Sequence, residues 1–314
     1  MMGRLQERIR TALRAFEEGG LKWVVLTIWR YLLFWSPMAP LFEQRISEIH
    51  REKLSNFRNI GYWPQIRDPR SFNEKVIHRK LFTDDDQYTT VEDKWAVREY
   101  IRDRAETEVL PDVYHVTDNP NTIPFEALPD EFVVKGTHGS DMNCFVEDKS
   151  DLDVKEIKSQ CNEWLDQTYG ECTNEYWYTE IQPRILVEEY LHDDEYDTPV
   201  DFKFLVFHGS VKYVETHVTR SGDTTNRIFD RNWNALDVRY DYPLGPAIDK
   251  PKQFDKMVGL AETLGADFDF IRVDLYQVNG ERVVFGELTV APAAGSGNLE
   301  PIEFDFELGS YWNE

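Results

Sequence analysis

Asp274 and Glu287 lie thirteen residues apart in a segment of alternating apolar and polar side chains that runs from Phe270 to Thr289 and reverses at Asn279-Gly280. An Asn-Gly pair between two runs of period two is a strong β-hairpin signal. On such a hairpin Asp274 and Glu287 can converge, with Arg272 two residues before Asp274 on the same face. Two carboxylates aimed at one point beside a guanidinium suit a hard cation that bridges phosphate oxygens. The same residues equally suit a solvent-facing strand with ordinary charges.

Other residues with phosphate chemistry precede the hairpin in a fixed order. Lys94 opens a helix, and Lys135 ends a short apolar strand before the loop Gly136-Thr-His-Gly-Ser140. Glu188-Glu189-Tyr190-Leu191 closes another apolar strand, and Asp201 and Lys203 follow on the next. Taken singly, a lysine at a strand end is a solvated charge and a Gly-x-x-Gly loop is a turn.

The elements that must position these residues are legible in outline. Residues 61–130 read as helices and short linkers, with a capping box at Ser71-Phe-Asn-Glu74 and a second helix over Asp93–Ile101. Strands are expected at Phe132–Lys135, Cys144–Glu147 and Ile185–Leu191, with a helix over Asp151–Thr168 between the last two. Two long strands, Val200–Phe207 and Val211–Val218, meet at His208-Gly209-Ser210, and a helix over Pro251–Leu264 leads into the hairpin.

Charge divides the chain. Residues 1–60 carry 10 Lys and Arg against 6 Glu, a net of +4, whereas the remainder carries 25 against 52 acids, a net of −27. So acidic a surface argues against nucleic acid as a partner, because little is available to neutralise phosphates. It fits a salt-rich cytoplasm and a halophilic source, where self-repulsion is screened. With 41% hydrophobic and 14% aromatic residues, the acidity is that of a folded protein. Cys144, Cys161 and Cys172 have no metal-ligand spacing and read as idle thiols in a reducing compartment.

No secretory signal with a small-residue cleavage site is expected from this pattern, and the apolar run Trp23–Trp35 is short and interrupted by Arg30. Arg4, Arg8, Arg10, Arg14 and Lys22 precede that run, and Pro37 and Pro40 follow it before an amphipathic stretch over Leu41–Phe57. This pattern suits a helix lying on an anionic membrane surface, or one docked on the protein itself.

In their order and spacing these pieces resemble the ATP-grasp fold, and more narrowly the TupA-like ATP-grasp family, named for teichuronopeptide biosynthesis. The resemblance is carried by Arg70-Ser-Phe-Asn-Glu-Lys75, Asp93-Lys94 with Arg98-Glu-Tyr-Ile101, and Leu128 through Ser140. It continues with Pro183–Leu191, Asp201–Gly209, Arg272–Tyr276, Gly286–Thr289 and the C-terminal Leu308–Trp312. It implies an α/β (α+β) protein in which two α+β subdomains grip ATP, preceded by an extra helical segment. The corresponding organisation is a basic, aromatic segment at 1–62, a mainly helical part at 63–130, a small α+β lid at 131–191 and a metal-bearing core at 192–314.

The resemblance also implies roles. Lys94 and Lys135 would contact ATP phosphates as point charges, with His138, Gly139 and Ser140 in the loop that closes over them. Glu188 would meet adenine through its carboxylate, and Glu189 and Leu191, flanking Tyr190, through backbone groups. Asp201 would bind ribose, and Lys203 phosphate or substrate. Asp274 and Glu287 would hold Mg²⁺, and Arg272 would stabilise charge on the transferring group. Thr289 departs from the family pattern, which has Asn at that position, so its hydroxyl would be a weaker ligand. The implied reaction joins a carboxylate to an amine through an acyl phosphate, on a small-molecule or lipid-linked glycan substrate in cell-surface polysaccharide biosynthesis. A sugar phosphotransferase and a catalytically silent nucleotide-binding or glycosyltransferase-accessory protein are the alternatives.

Several other motifs have plainer readings. Asp84-Asp85-Asp86 and Asp193-Asp194 are solvated loop acids rather than a glycosyltransferase pair. Arg220, with Arg227, Arg231 and Asn226 around Ser221–Thr225, is a candidate for an anionic substrate in what reads as a surface loop. His115 and His217 read as packed or surface residues, and Pro292–Gly297 as a turn or a substrate-accommodating loop.

Overall fold

The structure is a computed structural model that describes residues 20–29, 31–32, 46–193, 196 and 198–312. The chain divides into two units, residues 1–69 and 70–314. In the first, the helix α1 (Glu48–Ile60) ends at Gly61, whose φ of 83° accepts the left-handed cap that a side chain would resist. Phe57 sits edge-on to Trp23 with ring centroids 5.4 Å apart, and Trp63 packs on its other side at 6.0 Å. The basic residues at positions 4–14 and the prolines at 37 and 40 lie outside the described residues.

The second unit opens with α2 (Phe72–Phe82), whose capping box forms as its residues dictate: Ser71 accepts from the Glu74 amide, and Glu74 accepts from the Ser71 amide. Short helices α3 (Asp86–Glu92) and α4 (Val97–Arg104) follow. Asp85 caps α3 by accepting from the Gln87 amide, which accounts for one of the acidic run at 84–86. Lys94 lies in the turn between these helices rather than in the first turn of one.

An antiparallel sheet comes next, in the spatial order β1 (Val113–Thr117), β4 (Ile185–Glu188), β2 (Phe132–Gly136), β3 (Asn143–Val146). Its first strand falls where the sequence suggested only helices and linkers. The helix α5 (Val154–Leu165), capped by Asp153, covers one face, and the one-turn helix α6 (Trp177–Glu180) follows it. Period two assigns Phe132, Val134, Ile185 and Val187 to that face, where they pack with Ile157, Cys161 and Trp164. The alternate positions, Lys135, Leu186 and Glu188, face the other way, into a cleft.

The larger sheet is also antiparallel, in the order β10 (Arg282–Thr289), β9 (Phe270–Val278), β5 (Asp201–Phe207), β6 (Ser210–Arg220), β7 (Asp223–Asp230). The last strand corrects the reading of 221–225 as a loop. Ser221 and Gly222, both with positive φ, make the turn, and Thr224 to Asp230 pair with β6. Its polar alternation is that of an edge strand with one wet face. One face of the sheet is sealed by α7 (Phe254–Gly265) through Phe204, Val206, Ile271 and Met257. On the opposite face, α2 and α8 (Glu303–Tyr311) cover only one end, where Phe72, Phe207, Phe270 and Trp312 cluster. The other end of that face is left open as the floor of the cleft. A two-stranded ribbon of β8 (Arg239–Tyr240) and β11 (Leu299–Glu300) completes the unit.

The loop after β10 is a structural turn. Asn73 binds Gly297 through both backbone groups, donating to its oxygen at 3.0 Å and accepting from its amide at 3.1 Å. Asp305 in turn holds Asn73.

Candidate active site

The floor of the cleft is set by the register of the β9–β10 hairpin. A three-residue loop, Asn279-Gly280-Glu281, joins the strands, so Arg282 faces Val278. That register alone would set Glu287 opposite Val273, on the wrong face of the sheet. A bulge at Gly286 restores the parity and sets Glu287 directly opposite Asp274, and Thr289 opposite Arg272. A β-carbon on Gly286 would lie 2.9 Å from the Tyr276 ring and 3.1 Å from the Asp274 carbonyl, so the bulge needs glycine for its lack of a side chain.

Arg272 joins these residues. Its Nη2 lies 2.7 Å from Asp274 Oδ2, 2.8 Å from Glu287 Oε1 and 3.0 Å from Thr289 Oγ1, while Nε donates to Asp274 Oδ1 at 2.7 Å. Burial would lower the Arg272 pKa, but Asp274 and Glu287 outweigh it and hold the guanidinium well above its ordinary range. On the adjacent strand Lys203 bridges Asp201 at 2.5 Å and Asp274 at 2.6 Å. It too is raised, because these carboxylates outweigh its burial. Oδ1 of Asp201 is buried and has no hydrogen-bond partner among the described residues, and Asp274 is 1% exposed.

The roof comes from the smaller sheet. Lys135 pairs with Glu188 Oε1 at 2.5 Å, and Arg98 reaches Oε2 at 3.5 Å, so both carboxylate oxygens face cations. Lys94 is anchored on both sides of the chain, its amide to the Thr137 carbonyl at 3.1 Å and its ammonium to the Gly139 carbonyl. Burial lowers its pKa, Lys135 lowers it further, and Glu287 acts in the opposite sense. Lys94 and Lys135 therefore face the carboxylates of the floor across a cleft of about 390 Å³.

Of the connecting segment, Tyr190 and Leu191 line the cleft. Glu189 is engaged elsewhere: its amide donates to the Asp112 carbonyl at 2.9 Å and its carboxylate pairs with Arg282 at 2.5 Å. His138 is buried, with Nε2 2.8 Å from the Trp164 carbonyl, and desolvation lowers its pKa. Its side chain ties the loop to α5. A β-carbon on Gly139 would lie 2.9 Å from Met142 and Tyr169, and Ser140 is exposed. The structure does not bring Arg220 to this cluster: it is exposed at the end of β6, 4.7 Å from the Tyr196 ring.

Four polar residues on or beside the cleft are given no role by the sequence: Glu92, Arg98, Glu215 and Tyr276. Glu92 is buried; it accepts from the Val290 amide at 2.7 Å and from Tyr178 at 2.5 Å. Desolvation pushes its pKa up to about 8 against those two hydrogen bonds. The folded state thus holds a proton that the unfolded chain releases near pH 4.5, so stability falls as pH rises from about 4.5 through about 8. Glu92→Gln, which keeps a polar group toward both partners, should flatten that slope. Melting temperatures of both proteins at pH 5 and pH 8 test it; equal slopes would refute the assignment.

The floor fits a small hard cation. Two carboxylates and a hydroxyl all lie within 3.0 Å of one guanidinium nitrogen, so three oxygens already converge on a positive charge. No group of three or more His, Cys, Asp or Glu side chains suited to a metal occurs among the described residues. A cation here would draw its remaining ligands from water and phosphate, as Mg²⁺ does.

Comparison with known proteins completes the picture. A family model described as TupA-like ATPgrasp matches residues 74–313. No curated protein matches the chain. The ATP-grasp ligase PsnB, complexed with a phosphomimetic variant of its minimal precursor, Mg and ADP, is 14% identical, with 90% of this chain and 72% of PsnB covered and a TM-score of 0.41. Against PsnB with its minimal precursor the identity is 15% and the TM-score 0.39, with 73% of this chain covered but only 62% of PsnB. D-Alanine-D-alanine ligase from Helicobacter pylori is 14% identical, with 70% of this chain and 61% of that enzyme covered and a TM-score of 0.38. The family match extends over well over half of the sequence and takes in every element that builds the cleft from α3 onward, so the chain belongs to the TupA-like ATP-grasp family.

Proposed function

We propose that the protein is a Mg·ATP-dependent carboxylate–amine ligase that works through an acyl phosphate. The observation that carries this reading is the convergence of Asp274, Glu287 and Thr289 on Arg272, facing Lys94 and Lys135 across one cleft. Lys94 and Lys135 would neutralise phosphate oxygens from the roof, and Tyr190, Leu191, Leu186 and Phe145 would enclose the base. Asp201, whose buried Oδ1 has no partner among the described residues, would accept from ribose hydroxyls. Asp274, Glu287 and Thr289 would hold Mg²⁺, which supplies charge neutralisation on the phosphates when bound.

Arg272 would then release part of its hold on those carboxylates and turn to the transferring phosphoryl group. A substrate carboxylate oxygen attacks the γ-phosphorus, the bond to the β-phosphate oxygen breaks, and ADP leaves. The acceptor amine next displaces phosphate from the acyl carbon. Enclosure between the sheets protects the acyl phosphate from water. Glu188, bound by Lys135 and Arg98, would position Lys135 rather than read adenine through its carboxylate.

Family membership and the acidic surface support a place in cell-surface glycan synthesis in the cytoplasm of a halophile, with a uronic acid and an amino compound as substrates. In the first unit, Leu21, Val25, Ile28 and Trp29 are exposed on one helical stretch, which supports peripheral contact with anionic lipid. No helix among the described residues is long and apolar enough to cross a membrane. Flotation of the full chain with anionic but not neutral vesicles tests that contact, and flotation with neither would remove it.

The activity is tested by ADP release in high KCl with uronic acids and amino acids. ADP that requires both a carboxylate and an amine establishes the ligase. ADP formed with a sugar and no amine would make the protein a phosphotransferase, and ATP binding without ADP release would make it a silent binding protein.

A further inference from the structure

One wall of the cleft carries none of the residues assigned above to the nucleotide or the cation. His217 and Thr219 of β6, Thr224 of β7 and Tyr242 form it, next to Asp201. His217 is set there by a buried carboxylate. Its Nε2 lies 2.7 Å from Glu215 Oε1, and the same oxygen accepts from Asn226 Nδ2 at 2.8 Å. Glu215 is 3% exposed, and its pKa nevertheless falls below the usual range: burial opposes ionisation, but the hydrogen bond and charge of His217, with Lys203 and Arg272, outweigh it.

A carboxylate bound to Nε2 keeps a proton on that nitrogen whether the ring is charged or neutral, so the proton gained and lost is the one on Nδ1. Nδ1 has no hydrogen-bond partner among the described residues, and the ring, 19% exposed and 4.8 Å from the Tyr242 ring, belongs to the cleft surface. A carboxylate, an imidazole oriented by it and an open second nitrogen form the arrangement of a general base.

We propose that His217 is the base that deprotonates the acceptor amine, with Glu215 and Asn226 as its positioning residues; the proposal rests on the ligase reading above. The charges around the ring agree with an ammonium acceptor. Strand β6 presents Glu215, β5 presents Asp201 and Lys203, β9 presents Arg272, and the segment after β8 presents Asp241, while Asn226 on β7 is neutral. Lys203 is taken up by Asp201 and Asp274, and Arg272 by Asp274 and Glu287, so the wall is left acidic. Such a wall attracts an ammonium group and repels a second carboxylate.

In the step itself, Nδ1 takes one proton from R–NH₃⁺. The freed lone pair forms the C–N bond at the acyl carbon, the C–O bond to phosphate breaks, and phosphate leaves with the electron pair. The imidazolium and the new amide nitrogen return their extra protons to solvent.

The test compares two acceptors, amino acids and hydroxylamine, with the uronic acid panel as carboxylate donors. Hydroxylamine is largely unprotonated near neutral pH and needs no base. For His217→Gln at pH 7 the ratio of hydroxamate to amide formed should rise about 100-fold or more, within the usual contribution of a general base. The amide deficit should shrink at high pH, and added imidazole should restore amide formation to His217→Ala. An equal loss with both acceptors, or no loss, overturns the base while the ligase stands, since the unaltered protein still makes hydroxamate. If the unaltered protein makes none from any carboxylate, the ligase reading falls and this proposal with it.

Discussion

Glu287→Gln should lower ADP formation by about two to three orders of magnitude while leaving the melting temperature almost unchanged. Its carboxylate is 45% exposed, and its one strong contact is the shared Arg272 Nη2 at 2.8 Å. An exposed pair of that kind contributes at most about 1 kcal/mol to folding. The same oxygen is one of three that converge on the proposed cation, and losing a preorganised charge partner of a transferring phosphate costs about 100- to 1,000-fold in rate. The amide keeps the shape and one oxygen, so the loss isolates charge. Rates and melting curves of the variant separate the two effects, and a rate within tenfold of the original would remove Glu287 from the cation site. Asp274→Asn is a poorer test. That residue is buried between Arg272 and Lys203, and neutralising it would take one of two carboxylates from each of these buried cations.

The largest effect on stability is expected at a residue that does not line the cleft. Arg79 on α2 is buried, donating to the Phe270 carbonyl at 3.0 Å and the Val290 carbonyl at 2.7 Å, pairing with Asp269 and lying 4.3 Å from the Trp312 ring. It joins the first helix of the unit to the ends of β9 and β10 and to the C-terminal helix. Asp269 is half exposed, so the ion pair contributes little; the two carbonyls left without a donor carry most of the cost. Arg79→Met should therefore destabilise by about 3–5 kcal/mol. In a unit of this size that lowers the melting temperature by about 6–20 °C. Thermal denaturation checks it. A shift under about 2 °C would mean that water replaces the guanidinium at both carbonyls.

How much of this could be read from the chain depends on the distance over which each feature is encoded. The Ser71–Glu74 capping box, the Asn279-Gly280 reversal, the α5 and α7 helices and the paired long strands are written within a few residues each, and they formed at or near the expected places. Local encoding failed at the sheet edges. Val113–Thr117 is five residues long, and Asp223–Asp230 carries polar side chains at most positions, so neither stands out until a neighbouring strand supplies the hydrogen bonds.

The site divides the same way. Lys94, Lys135, Asp201, Lys203, Arg272, Asp274 and Glu287 announce themselves by type and order, and the structure brings them to one cleft or to the cluster on its floor. Glu92, Glu215 and Arg98 do not. A carboxylate 198 residues from the amide it caps, or a guanidinium 90 residues from its partner, has no signature along the chain. In a sequence with 58 acids, one more acid is unremarked. The histidine at 217 is read as packing until Glu215 and Asn226 are seen to hold it.

Residue type and order alone supply the chemistry on offer: two carboxylates, a guanidinium and a hydroxyl within eighteen residues, and lysines ahead of them to meet phosphate. That the carboxylates, guanidinium and hydroxyl meet at one point follows from strand register in the folded chain. That register rests on one extra residue in the hairpin loop and one at the Gly286 bulge, which together keep Glu287 on the face of Asp274. Because side chains alternate with a period of two, either change alone would have turned the second carboxylate away from the cleft.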